Sequence, residues 1–207
     1  MTRNVGIYIY DDVEVLDLAG PYEVFATASR MKARLTPDAA KPFEVFTVAE
    51  AVRPIVARAG LVITPDFAIA NHPRIDVLLI PGGVHSSELK RGNIIQWIAA
   101  TATKCELTAS VCTGAFLLAK AGLLEHATVT THWEDIADFR AMFPHIAVRE
   151  NERWVDAGRV VTSAGISAGI DMSLHLVARL ESEELAVQTA RQMDYDWERP
   201  GRLPHQT

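Results

Sequence analysis

Short apolar runs of strand length alternate along the chain with segments in which apolar residues recur at helical spacing. The runs NVGIYIY, from Asn4, and DVLLI, from Asp76, are almost unbroken, as expected for strands that are buried on both faces of a sheet. The segment GNIIQWIAAT, from Gly92, instead places apolar residues three and four positions apart, which predicts an amphipathic helix. The same two patterns follow one another to the end of the chain.

The predicted elements define the fold class. Strands are expected at 4–10, 43–49, 76–81, 106–111, 127–133, 146–150, 153–158 and 159–165, with a short hairpin around Gly60 from 53–57 and 61–64. Helices are expected at 18–28, 87–101, 115–124, 135–143, 166–180 and 183–197. This alternation predicts an α/β protein, a three-layer α/β/α sandwich with a mostly parallel, flavodoxin-like central sheet. We expect one domain over residues 1–198 and a C-terminal tail over 199–207.

Charge and composition exclude several classes of function. The 207 residues include 20 Lys and Arg against 26 Asp and Glu, a formal net charge of −6. A nucleic acid or an anionic membrane favours a basic surface, so neither is an expected partner. The N-terminal segment lacks the length and cleavage site of a signal peptide, and no run reaches the roughly 20 apolar residues of a membrane span. The sequence therefore predicts a soluble, cytoplasmic protein.

The two cysteines have different predicted environments. They flank a predicted strand that would hold them about 23 Å apart at roughly 3.3 Å per residue, too far for a disulfide. Cys112 comes where the strand stops and a helix begins at once with Thr113 and Gly114, the arrangement of a nucleophile elbow with Cys in place of Ser. The helix N-terminus is expected to lower the pKa of such a thiol. The alternative is that Cys112 is a small buried apolar residue, the role expected for Cys105.

Two further segments bring polar groups to the same edge of the predicted sheet, because ligands of open parallel sheets bind at the carboxyl ends of the strands. Gly82 and Gly83 end one strand, and their backbone N–H groups, with that of Thr113, could form an oxyanion hole. Asp17 follows the first strand, where its carboxylate either takes part in chemistry or caps a helix. Glu23 is expected to belong to a capping box that begins at Gly20.

The remaining candidates are less specific. His132, in TVTTHWED, is a candidate base or orienting group for the thiol, and Asp171 is a possible partner of that histidine or a structural residue in a first helical turn. Tyr22 and Trp133 could line an apolar pocket or belong to the core. The seven histidines and two cysteines show no paired metal-ligand spacing, and no dinucleotide-binding or Walker sequence is present. No metal and no cofactor are therefore expected.

Five stretches together resemble one known superfamily over essentially the whole chain: GIYIYDDVEVLDLAGPYEVF, IDVLLIPGG, TASVCTGAFLLAKAGLL, ATVTTHWED and RVVTSAGISAGIDMSLHLV. This is the ThiJ/PfpI superfamily, within the class I glutamine amidotransferase-like fold. The Cys-Thr-Gly elbow followed by Thr-His-Trp resembles the branch that holds isonitrile hydratases and the ligand-sensing halves of AraC-type regulators. The peptidase branch has His directly after the nucleophile, whereas Thr113 follows Cys112 here.

The resemblance implies a function and the residues that would perform it. Because the chain stops shortly after the last predicted helix, the stand-alone isonitrile hydratase is the expected match rather than a regulator. Asp17, Cys112 and Thr113 match the catalytic Asp and the Cys-Thr pair of that enzyme, and His132 matches a histidine that accompanies the elbow in much of the superfamily. A homodimer that acts on a small-molecule isonitrile is implied. The aromatic residues around Tyr22, Phe25 and Trp197 also favour a homodimer, because a small monomer would rarely leave such apolar surface exposed; the alternative is that they belong to the core. The alternatives are a redox or stress-response protein, a ligand sensor, and a glyoxalase or deglycase acting on α-oxoaldehydes.

Overall fold

Seven strands form one central sheet in the computed structural model, which describes residues 1–198. Eleven strands occur in residues 1–198, seven in the central sheet and four in two separate pairs. They are β1 Arg3–Tyr8, β2 Phe43–Ala49, β3 Ile55–Val56, β4 Val62–Ile63, β5 Phe67–Ala68, β6 Val77–Ile80, β7 Leu107–Val111, β8 Thr128–Val129, β9 Ala147–Val148, β10 Trp154–Asp156 and β11 Val160–Ser163. The helices are α1 Val15–Leu35, α2 Gly92–Ala102, α3 Gly114–Lys120, α4 Ile136–Met142, α5 Ala168–Leu180 and α6 Glu183–Gln192. The predicted tail, 199–207, lies outside the described residues.

The central sheet has the order β10–β11–β7–β6–β1–β2–β5, and every neighbouring pair is parallel except β10 and β11. Helices α1, α5 and α6 pack together on one face, and α2 packs with α3 on the other. This is the predicted three-layer α/β/α sandwich. Since β1, β6, β7 and β11 run in the same direction, the segments that follow them meet at one edge of the sheet.

Burial explains why these segments form these elements. Every residue of β6 and β7 is buried, as the apolar sequence of β6 predicts for a strand covered by helices on both faces. In α2 the buried residues Ile94, Ile98 and Ala102 recur every four positions, so the helix presents one apolar stripe to the sheet. The predicted hairpin is present as the antiparallel pair β3–β4.

Two differences from the predicted elements concern candidate site residues, and one strand of the sheet was not predicted. Helix α1 begins at Val15 and contains Pro21, so Gly20 and Glu23 lie inside the helix and form no capping box. The strand predicted over 127–133 is only two residues long and pairs with β9 outside the central sheet, so His132 does not end a main-sheet strand. Strand β5, which extends the sheet beyond β2, was not predicted, because it is only two residues long and lies within a short apolar run.

The aromatic surface expected around Tyr22 is smaller than predicted. Phe25 is fully buried in the core, and Trp197 packs partly buried against it, which leaves Tyr22 as the partly exposed aromatic residue of that stretch. The homodimer stays a prediction. Among residues 1–198, no helix has both the length and the apolar character needed to cross a bilayer.

Candidate active site

Cys112 occupies the predicted turn between β7 and α3. Its φ of 55° lies in the left-handed region, which costs energy for a residue with a side chain and is typical of functional turns. The backbone N–H of Cys112 donates to the carbonyl of Ser163 at 3.1 Å, and the Thr131 hydroxyl donates to the carbonyl of Cys112 at 2.9 Å. These contacts from neighbouring segments hold the strained residue in place.

Two glycines allow other groups to approach this turn closely. A Cβ on Gly114 would lie 2.0 Å from the backbone oxygen of Ile80, so α3 can begin directly against the end of β6 only with glycine there. A Cβ on Gly165 would lie 2.9 Å from the Cys112 Sγ and 2.4 Å from the His132 Cδ2. Gly165 was not among the residues predicted to form the site, although it lies two residues after the end of β11, at the sheet edge that carries Cys112.

Asp17 is fully buried in the first turn of α1, and it does not cap that helix. Its Oδ2 accepts a hydrogen bond from the N–H of Gly82 at 3.0 Å, and its Oδ1 has no partner among the described residues. Burial raises the pKa of Asp17 from its ordinary 3.8 to about 7, although the Gly82 N–H and the nearby Cys112 thiol favour the charged form. At neutral pH this carboxyl group is therefore poised between its two protonation states.

Gly82, Gly83 and Thr113 connect Asp17 to the elbow. The N–H of Gly83 donates to the Thr113 Oγ1 at 3.0 Å, and the Thr113 hydroxyl faces the Gly83 carbonyl at the same distance. A Cβ on Gly82 would lie 2.7 Å from the Thr113 nitrogen and 2.8 Å from the Asp17 Oδ2, which requires glycine at this position. The expectation that both glycine N–H groups are available as an oxyanion hole is wrong for this state, because Asp17 and Thr113 already accept them.

The predicted lowering of the Cys112 pKa is also wrong. Burial raises the pKa of this thiol, and the negative charges of Asp17 and Asp135 raise it further. The N–H of Thr113 acts in the opposite direction and is outweighed. Cys112 is consequently a neutral thiol at rest, and a base must take its proton before the sulfur becomes a strong nucleophile.

His132 lines the same cleft as Cys112, with its ring against Gly165. It precedes the 3₁₀ turn 133–135, and its Nδ1 lies 3.2 Å from the Asp135 Oδ2 and 3.9 Å from the Glu134 Oε2. Asp135 therefore orients this histidine. The contact could not be predicted from the sequence, because His132 was expected in a strand and Asp135 in a helix.

Asp171 is not the partner of His132. It is fully buried in the first turn of α5, where its carboxylate accepts hydrogen bonds from Arg153, from the Tyr195 hydroxyl at 3.1 Å and from the N–H of Glu198 at 3.1 Å. Burial raises its pKa, and the Arg153 guanidinium opposes that rise. Asp171 joins β10, α5 and the segment after α6, which is a structural role.

Three other residues named from the sequence lie away from the thiol. Glu23 is exposed on α1, where its Oε1 accepts hydrogen bonds from Thr27 and Arg30. Tyr22 borders a separate groove between α1 and β2, and Trp133 is half exposed. None of the three lines the cleft that contains Cys112.

A cleft of about 280 Å³ opens above Cys112. Its lining includes side chains that the sequence analysis missed, namely Glu14, Arg58, Val84, His85, Ser86, Glu134, Asp135 and Ile166. His85 packs on Phe116 with 4.4 Å between ring centroids, and burial lowers its pKa. Within residues 1–198, no group of three or more His, Cys, Asp or Glu side chains is arranged to hold a metal ion.

Cys105 differs from Cys112 in its position and in the groups that its thiol contacts. Both cysteines are free, as predicted. The Cys105 thiol lies 3.3 Å from the carbonyl oxygen of Ile75 and 3.2 Å from that of Thr101, and burial raises its pKa to about 11. It lies at the amino end of β7, opposite the edge that carries Cys112.

Comparisons with known proteins identify a family and several relatives. The sequence model of the DJ-1/PfpI family matches residues 3–179. The chain is 30% identical to isonitrile hydratase of Pseudomonas putida over 197 residues, which cover 94% of this chain and 79% of that protein. It is 29% identical to the HTH-type transcriptional regulator GbdR of Pseudomonas aeruginosa over 94% of this chain, but it spans only 51% of that regulator.

Solved structures show the same fold. A THiJ/PfpI family protein from Pseudomonas syringae superimposes with a TM-score of 0.82 at 27% identity, over 97% of this chain and 78% of that one. Drosophila melanogaster DJ-1beta superimposes with a TM-score of 0.79 at 16% identity, over 95% of this chain and 100% of that one. The relatives thus include an enzyme, a regulator and DJ-1 proteins.

Proposed function

This chain belongs to the DJ-1/PfpI family, and we propose that it is an isonitrile hydratase-like enzyme. It would add water to an isonitrile, R–N≡C, and release the N-substituted formamide. The observation that carries the proposal is the Cys112 thiol at a strained elbow beside the buried carboxyl group of Asp17. The similarity to isonitrile hydratase supports the choice of substrate.

The resting pair holds a neutral thiol and a carboxyl group whose pKa is about 7. In its ionised form, Asp17 is the base that the Cys112 thiol needs. In its protonated form, it is the acid that an isonitrile needs, because the terminal carbon becomes electrophilic only as it gains a proton. A catalytic group with a pKa near the working pH serves both roles best.

The first step forms a covalent thioimidate. Asp17 accepts the S–H proton of Cys112 and passes it to the terminal carbon of the isonitrile. The sulfur lone pair forms the C–S bond, and one C–N π bond breaks with its electrons moving to nitrogen. The product, R–N=CH–S–Cys112, contains every atom of both reactants, and Asp17 is again a carboxylate.

The second step hydrolyses the thioimidate. Water attacks the carbon, Asp17 accepts a proton from that water and delivers it to the nitrogen, and a tetrahedral intermediate forms. The C–S bond then breaks with its electron pair moving to sulfur. The hydroxyl proton returns through Asp17 to Cys112 as the C=O bond of the formamide forms.

The other site residues would position these groups. Thr113 holds Gly83 through its hydroxyl, and its N–H, which faces the sulfur, is the donor best placed to stabilise the leaving thiolate. Gly82 holds Asp17 in the buried site where its pKa is raised. We assign His132, oriented by Asp135, to the binding of substrate or water at the opposite wall of the cleft.

A second function is favoured by one specific observation. The 29% identity to a transcriptional regulator extends over 94% of the chain, so the same cleft could bind a ligand without turnover. In that case a small molecule would stabilise the protein against unfolding and leave it unchanged chemically. The expectations of a cytoplasmic homodimer without cofactor or nucleic-acid partner remain part of the proposal.

Purified protein tests the proposal when it is incubated with cyclohexyl isocyanide and, in parallel, with methylglyoxal. We expect N-cyclohexylformamide from the wild type, none from Cys112→Ala, and near wild-type amounts from the matched control Cys105→Ala. Conversion of methylglyoxal alone would assign the protein to the glyoxalase or deglycase class. Thermal stabilisation by an isonitrile without product would favour the sensor.

A further inference from the structure

The walls of the cleft above Cys112 carry more negative than positive charge. Glu14, Glu134 and Asp135 line it, whereas Arg58 is the one Lys or Arg side chain that the described residues contribute to the lining. The thiol lies at the bottom of this cleft. Any electrophile that reaches the sulfur must therefore pass between these charges.

Glu14 and Arg58 cancel each other locally. The Arg58 Nη1 lies 3.1 Å from the Glu14 Oε2, and the Arg58 N–H donates to the carbonyl of Val13, which holds the hairpin against the start of α1. Because this pair contributes little net field, the charge that an incoming molecule meets comes from the wall formed by 132–135.

That wall has a net negative charge. Glu134 and Asp135 both face the His132 Nδ1, at 3.9 and 3.2 Å, so one positive charge on His132 would offset only one of the two carboxylates. His85, which also lines the cleft, does not offset the other at pH 7, because burial lowers the pKa of its ring more than the charge of Asp135 raises it.

The negative field extends to the sulfur itself. The charge of Asp135 is one of the causes that raise the pKa of the Cys112 thiol. Beneath the thiol, the Asp17 carboxyl group is fully buried, and its Oδ1 has no hydrogen-bond partner among the described residues. A narrow cleft with walls of low polarisability concentrates such a field and increases the local concentration of molecules of opposite charge.

We infer that this cleft selects small electrophiles that carry a positively charged substituent, such as an ammonium group, over those that carry a carboxylate or sulfonate. For access to the thiol, the inference is independent of the reaction catalysed. When the inference is extended to turnover, it rests on the proposed function. It then gives the substrate class as an isonitrile with a cationic side chain.

Two methanethiosulfonates of opposite charge test the inference, the 2-(trimethylammonium)ethyl and the 2-sulfonatoethyl reagents. The Cys112 sulfur forms a disulfide bond with the reagent, methanesulfinate leaves with the electron pair of the broken S–S bond, and the thiol proton goes to solvent. Rates are measured at low and at physiological ionic strength in the Cys105→Ala background. For normalisation, the rate of each reagent with the protein is divided by the rate of the same reagent with 2-mercaptoethanol. Peptide mapping locates the label.

We expect a normalised cation-to-anion ratio of at least about fivefold at low salt, and a smaller ratio at physiological salt because exposed charges are screened. Glu134→Gln should reduce that ratio by about twofold or more. The matched control Glu44→Gln removes the same charge near the amino end of β2, away from the cleft, and should leave the ratio unchanged. A ratio near one, or one that responds equally to both substitutions, would overturn the inference.

The same preference should govern turnover. An ammonium-bearing isonitrile should exceed its carboxylate-bearing analogue in kcat/KM, and Glu134→Gln should narrow the difference. Turnover of neutral isonitriles without a charge preference at the thiol would refute the inference and leave the proposed function standing. A clear preference at the thiol without turnover of any isonitrile would refute the proposed function and leave the inference standing.

Discussion

Replacing Asp17 by asparagine separates the chemistry of this carboxyl group from its packing. Asparagine has nearly the same shape, and its Oδ1 can still accept the hydrogen bond that Gly82 donates to the Asp17 Oδ2. The variant cannot ionise or carry a proton between groups, and its amide NH2 takes the place of the Asp17 Oδ1, which has no partner among the described residues. The account therefore makes opposite predictions for the stability and for the activity of the same variant.

The stability prediction follows from the raised pKa. A rise from 3.8 to about 7 means that the folded protein holds the Asp17 proton more tightly than the unfolded chain does. The stability from this proton is complete below pH 3.8 and is lost as the pH rises through about 7, a loss of up to about 4 kcal/mol. Since asparagine never ionises, Asp17→Asn should gain about 3 kcal/mol of stability relative to the wild type between pH 5 and pH 8.5, which is the part of this loss that falls in that range.

The activity prediction has the opposite sign. Because Asp17→Asn lacks the acid and base of the reaction, the rate of isonitrile turnover should fall by about 10²- to 10⁴-fold. Urea unfolding at pH 5 and pH 8.5 measures the stability, and steady-state kinetics measure the activity. The matched control is Glu23→Gln, on the exposed side of α1. A stability difference that does not change with pH would refute the raised pKa. Full activity in the folded variant would remove Asp17 from the mechanism.

Three other changes test separate parts of the account. Cys112→Ala should abolish stoichiometric alkylation by iodoacetamide, whereas Cys105→Ala should leave it near wild type; labelling that follows Cys105 would reverse the assignment. Gly165→Ala forces a Cβ to within 2.9 Å of the Cys112 Sγ, so it should lower kcat by more than about tenfold and reduce the stability by about 1–3 kcal/mol. The control Gly92→Ala, which has open space around the new Cβ, should do neither. Equal effects of the two substitutions on kcat would contradict the crowding argument. We expect light scattering to give a homodimer, and Val62→Asp, in an exposed apolar hairpin, to shift it towards monomer; a wild-type monomer at micromolar concentration would refute this prediction.

Local pattern was sufficient for strands that are mostly apolar. The run from Phe43 to Ala49 has no feature that interrupts a strand, and β2 has those bounds. The end of β7 at Val111 was equally clear, because the β-branched pattern stops there and helix formers follow. These two kinds of signal were sufficient to predict the fold class and the position of the elbow, but not strand β5.

What could not be predicted depends on contacts between distant segments. The pKa values of Asp17 and Cys112 are set by mutual proximity and by burial, and 65 residues separate Asp17 from its partner Gly82. The helix dipole alone predicted a lowered thiol pKa, but the surrounding protein reverses it. The helix predicted to begin at residue 18 begins at Val15, so Pro21 lies inside α1, where packing of the buried helix compensates for one missing hydrogen bond.

The central claim is that an isonitrile becomes bound to Cys112 before water reaches it, and intact-protein mass spectrometry tests this most directly. The wild type and Asp17→Asn are mixed with cyclohexyl isocyanide, quenched with acid within milliseconds to seconds, and digested to locate any adduct. The account predicts a mass increase equal to the whole isonitrile on the peptide that contains Cys112, and its disappearance as formamide forms. Formamide production without an adduct, or by Cys112→Ala at the wild-type rate, would contradict it.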